Sequence, residues 1–88
     1  MKFLVIWEWD TSDAREVSRR FVEEWKPPEG IEFLYPIHTL IGKNMSFAVI
    51  ECDKSDYLQK IMSKWSDICT FETTPIIDSR EAVNLAKQ

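Results

Sequence analysis

Ser46-Phe47-Ala48-Val49-Ile50-Glu51-Cys52 is a run dominated by apolar, β-forming residues, with no Gly or Pro inside it and with Asn44 and Asp53 near its ends. It reads as a short, buried, central strand. Phe47 and Val49 point to one side of such a strand, Ala48 and Ile50 to the other. A strand that is apolar on both sides must be covered on both. What covers each side is the question on which the rest of the chain turns.

The 88 residues suffice for one domain, residues 1–88. A chain of this length buries only about 60–65% of its extended surface and gains from a partner. Four Trp, two Tyr and five Phe are many for so short a chain. Rings of this size fill a core, line a pocket or build an interface. The net charge of −4 argues against a nucleic-acid partner, which needs a basic face, and against anionic membrane surfaces. The apolar run after Lys2 is cut short by Glu8 and Asp10, so it does not read as a signal peptide. No segment approaches the roughly 20 apolar residues of a membrane span. A cytoplasmic location is expected. Cys52 and Cys69 form no CxxC and read as two reduced, partly buried thiols.

Outward from the central run, Phe3 to Trp9 is a second strand apolar on both sides. Phe3, Val5, Trp7 and Trp9 share one side; Leu4 and Ile6 share the other. Asp13 with Glu16 has the spacing of a capping box, and Ala14, Val17, Phe21 and Trp25 then recur at helical spacing until Pro27 and Pro28. Residues 31–40 alternate as a strand, with Phe33, Tyr35 and Ile37 against Leu34, Pro36, His38 and Leu40. Pro36 offers no N–H to a ladder, which places this strand at a sheet edge. Gly42 and Asn44 suit a tight hairpin. Asp53 is positioned to cap a second helix whose stripe is Leu58, Ile61, Met62 and Trp65. Residues 69–77 form a fourth strand, marked as an edge by Pro75. Asp78 and Glu81 repeat the capping pattern before a short terminal helix.

The order is βαββαβ, and the ferredoxin-like strand order 4-1-3-2 puts both prolines outside and both wholly apolar runs inside. Right-handed crossovers then set both helices on one face of a four-stranded antiparallel sheet. The expected class is α+β, with one sheet face bare. A bare apolar face of that size calls for a second copy, packed sheet to sheet.

Pro27-Pro28-Glu29-Gly30 before a strand, His38 late in it, Phe47 to Glu51, Trp65-Ser66-Asp67, Phe71-Glu72 and Thr74-Pro75 stand in an order that resembles a family of small bacterial and archaeal proteins. That family is catalogued as domain of unknown function 3303. The resemblance spans nearly the whole chain and implies a dimeric α/β barrel of two ferredoxin-like sheets. It implies no activity.

The candidate ligand-binding residues are Trp7, Trp9, Tyr35, His38 and Glu51. The three large rings are able to stack on a flat organic molecule. His38 is the one histidine, a residue type suited to proton transfer, and Glu51 is a carboxylate at a strand end. The plainer reading makes the rings dimer interface and His38 a residue of a solvated edge. One His among scattered carboxylates is no metal site, and no cofactor motif occurs. No catalytic constellation stands out. Two functions remain open. One is a non-catalytic module that binds a small apolar or aromatic ligand or serves in assembly. The alternative is a cofactor-independent isomerase or oxygenase acting on an aromatic or conjugated substrate, with His38 or Glu51 moving a proton.

Overall fold

A computed structural model describes residues 1–87. The elements run β1 (Lys2–Glu8), a 3₁₀ turn (Thr11–Asp13), α1 (Ala14–Glu23), β2 (Ile31–Thr39), β3 (Met45–Cys52), α2 (Ser55–Ser63), β4 (Thr70–Ile76) and α3 (Ser79–Ala86). The four strands form one sheet in the order β2-β3-β1-β4. Every neighbouring pair is antiparallel. The two doubly apolar runs are the two central strands, and Pro36 and Pro75 lie in the two edge strands.

Register fixes the faces. Val5 lies opposite Ala48, Phe3 opposite Ile50 and Trp7 opposite Ser46. These residues form one face, together with Phe71 and Thr73 of β4. Leu58 and Met62 of α2 pack on it, around a core of Val5, Ala48, Ile50 and Cys52. Burying Ile50 or Leu58 stabilises the fold by roughly 1.5–3 kcal/mol each. Val17 is the buried residue of α1. Leu4, Ile6, Phe47 and Val49 form the opposite face. They are half-buried, while the buried residues of α1 and α2, Val17 and Leu58, lie on the first face's side and the described residues of α3 are exposed.

Local chemistry explains the helix ends, with two departures from the expected caps. Asp13 belongs to the 3₁₀ turn, and no side-chain cap bond forms there among the described residues. Its would-be partner Glu16 is drawn instead to Arg19 and Arg20, one turn along the same helix. At α2 the cap position is Lys54 in extended conformation, not Asp53. At α3 the expectation holds: the Asp78 carboxylate accepts from the Arg80 amide at 2.8 Å. Every described residue of α3 is exposed, Val83 and Leu85 included.

The hairpin between β2 and β3 turns at Gly42, whose φ of 77° is the left-handed value glycine favours. Asn44 does not share that conformation. Its side-chain Nδ2 donates to the Thr11 hydroxyl at 3.0 Å and its backbone carbonyl accepts from the Trp9 amide at 3.1 Å, tying the hairpin to the end of β1. Both cysteines are free and buried. No helix among the described residues is long and apolar enough to cross a membrane.

Candidate functional site

A hollow of about 330 Å³ lies between the sheet and the helices. It follows from an uneven distribution of side-chain size. The middle of the sheet carries small residues on this face: Ser46 is 3% exposed and Ala48 1%. The large rings stand around them, on Trp7, Trp9, Trp25, Phe33, Trp65 and Phe71. These rings brace one another. Trp7 and Phe71 lie 6.0 Å apart across β1 and β4. Trp25 stacks on Phe21 at 6.3 Å and meets Phe33 edge-on at 5.9 Å. Such pairs add about 0.5–1.5 kcal/mol beyond their buried area, and they hold the walls apart over the small floor.

The hollow's chemistry is nearly uniform. No ionisable side chain lines it among the described residues. Apart from the indole N–H groups, its polar side chains are the hydroxyls of Ser18, Thr39 and Ser46. Thr39 and Ser46 face each other across β2 and β3, and their hydroxyls are 2.8 Å apart. Ser46 is the buried polar residue of the fold. A wall of this kind holds an apolar or aromatic molecule and offers it one hydrogen-bonding point.

Outside the hollow, α1 is tied to the loop before β4. The Arg20 guanidinium donates to both carboxylate oxygens of Asp67, at 2.9 and 2.6 Å. That fork holds the Asp67 carboxyl below the usual carboxylate range. Burial pushes the Cys69 thiol up, away from reactive thiolate. No group of three His, Cys, Asp or Glu side chains able to hold a metal occurs among the described residues.

The five residues singled out in the sequence fall on two sides of the sheet. Trp7 and Trp9 line the hollow. Tyr35 and His38 lie on the open face, stacked on each other at 4.8 Å, with Tyr35 against Phe47 at 5.8 Å. Simple alternation would set Tyr35 beside Phe33 and Ile37. Two register irregularities, between Phe33 and Tyr35 and between Tyr35 and His38, break that phase and turn Tyr35 over. The ring Nδ1 of His38 lies 2.8 Å from the Pro36 carbonyl, which only accepts, so Nδ1 carries the proton in that bond. Glu51 pairs with Lys2 and Glu32 on the open face, and its Oε2 lies 3.2 Å from the Met1 amino nitrogen. No hydrogen bond reaches that oxygen among the described residues.

Sequence reasoning missed Trp25, Phe33, Phe71, Thr39 and Ser46 as site residues, and it took Trp65 for core. Aromatic residues at helical or strand spacing read as packing. The available signal was the pairing of small Ser46 and Ala48 on one side of a central strand with an excess of rings elsewhere in the chain.

No curated protein matches this sequence. Among solved structures, the crystal structure of an L-rhamnose mutarotase from Formosa agariphila superposes with a TM-score of 0.52 at 14% identity, covering 89% of this chain and 94% of that one. This likeness is one of fold, the α+β ferredoxin-like topology. The sequence itself matches the family described as Domain of unknown function (DUF3303) over residues 1–88, and the chain belongs to that family.

Proposed function

We propose that this protein is a homodimeric, non-catalytic module that holds a small apolar or aromatic molecule in the hollow between helices and sheet. The observation that carries the reading is the lining. Ring faces and aliphatic groups surround about 330 Å³, the lower end of the range for small-molecule sites, and no ionisable side chain is among the described lining residues. An isomerase or oxygenase without a cofactor needs a group to move a proton within hydrogen-bond reach of its substrate. His38 and Glu51, the two side chains suited to that work, belong to the opposite face. There they serve a second role, at the rim of an apolar patch that a second copy covers.

The four tryptophans, Trp7, Trp9, Trp25 and Trp65, are the reporters in this reading, since all of them line the hollow. Planar aromatic compounds titrated into the protein are expected to quench indole fluorescence saturably, and His38→Ala is expected to leave the titration unchanged. Turnover of any such compound that His38→Ala or Glu51→Gln abolishes would make the protein an enzyme. Absence of saturable quenching by every planar probe would remove the binding reading.

A further inference from the structure

The hydroxyl pair in the wall says more about the ligand than its apolar surroundings do. Ser46 and Thr39 between them carry two protons and four lone pairs. Their mutual bond of 2.8 Å uses one proton and one lone pair. One proton and three lone pairs remain at a place lined otherwise by Val5, Trp7, Ile37 and Ala48. Ser46 is 3% exposed, so bulk water does not serve it freely, whereas Thr39 is exposed and water reaches the pair from its side. A buried hydroxyl keeps its value only while its bonds are made, and a ligand that fills the hollow without an oxygen or nitrogen at this point leaves the buried Ser46 hydroxyl with Thr39 as its one partner. A carboxylate there is no better, because no cationic side chain is among the described lining residues to offset its lost hydration.

The geometry points to a neutral planar aromatic ligand carrying a hydroxyl or carbonyl oxygen, anchored by that oxygen on the Thr39–Ser46 hydroxyl pair. This rests on the binding reading above and adds the ligand's polarity, its charge and the residues that read them. The rings supply affinity that is tolerant of ring identity, since every aromatic presents a similar face. The hydroxyl pair supplies the discrimination, since a site built to bond a polar group rejects the analogue that lacks it.

The probes are 2-naphthol, naphthalene and 2-naphthoate, one ring system with a neutral oxygen, none and a charged carboxylate. Calorimetric titration of the wild type at pH 7 is expected to show 2-naphthol binding several-fold to about tenfold tighter than naphthalene, the span of one neutral hydrogen bond. Binding of 2-naphthoate is expected to be at least about tenfold weaker than that of 2-naphthol. Ser46→Ala is expected to erase the preference for 2-naphthol while naphthalene binds as before, which also shows that the variant folds. Equal binding of 2-naphthol and naphthalene to the wild type would overturn the anchor and leave the hollow a binding site. A preference that survives both Ser46→Ala and Ser46→Ala/Thr39→Val would overturn it too, as would naphthoate binding as tightly as naphthol. Binding of none of the three would take the parent reading down with it.

Discussion

Val49→Asp places a carboxylate in the middle of the open sheet face, between Leu4 of β1 and Tyr35 of β2. In an isolated subunit this side chain is only half-buried, so the aspartate keeps much of its water. The cost to folding is then of the order of the strand propensity difference, about 1 kcal/mol. In a sheet-to-sheet dimer the same carboxylate is enclosed, and two-fold symmetry encloses it twice. With a penalty of about 3 kcal/mol per buried, unpaired charge, the dimer loses about 6 kcal/mol, or roughly four decades in Kd. The expected outcome is a folded monomer of 10.4 kDa by sedimentation equilibrium, from a wild type of twice that mass. Val5→Asp is the contrast. Val5 is 7% exposed and lies under the helices, so its charge is buried in the subunit itself and the variant is expected to unfold. If Val49→Asp sediments and melts like the wild type, the open face is not an interface. If the wild type is itself a monomer at micromolar concentration, the reasoning fails at its root.

Two further outcomes test local features. Gly30 and Gly42 both have φ near 80°, so alanine at either costs about 1–2 kcal/mol of backbone strain. At Gly42 a Cβ meets nothing, whereas at Gly30 it would fall 2.5 Å from the Tyr57 ring, and the added overpacking should bring Gly30→Ala to about 3 kcal/mol in urea melts. Equal losses at the two sites would contradict that account. Asp67 has its carboxyl lowered by Arg20, so the fork favours the folded state above the ordinary aspartate value near 3.9 and ceases to do so as pH falls through the lowered one. Asp67→Asn should therefore flatten part of the loss of melting temperature on acidification below about pH 4, and an unchanged acid limb would mean the fork does not form in solution.

The architecture was legible because its determinants are local and agree with one another. Proline removes a ladder donor wherever it stands, so Pro36 and Pro75 named the edges. The doubly apolar runs at Phe3 and Phe47 had to be central, and the observed order β2-β3-β1-β4 agrees with these two facts. The site was legible only in part. Trp7 and Trp9 share the hollow's side of the sheet because their strand is regular and its alternation holds. In β2 the same alternation sets Tyr35 with Phe33 and Ile37 and sets His38 opposite them; it fails for Tyr35, because one slip before and one slip after that residue each reverse the face, and the two together return His38 to the side that alternation gives it. The hollow itself depends on a difference in volume between Ser46 or Ala48 and rings that are distant in sequence. No periodicity encodes that difference, because whether facing side chains meet or leave a gap is set by the distance between helix and sheet. The caps of α1 and α2 departed for a simpler reason: Asp13 and Asp53 have the right spacing, but Asp13 makes no side-chain cap bond and Lys54 takes the cap position of α2.

The two edge prolines also bear on the growth of fibrils from a sheet of this kind. An open sheet of four strands has two borders along which further strands can add without limit. Here Pro36 interrupts the donor row of β2 on one border, and Pro75 that of β4 on the other. Growth in the plane of the sheet is thus obstructed in both directions. What remains sticky is the flat face, and the proposed association of one face with its own copy would use that surface up. A sheet-to-sheet dimer of the kind proposed above would let the chain carry an apolar surface that is otherwise an aggregation hazard, because that geometry stops at two.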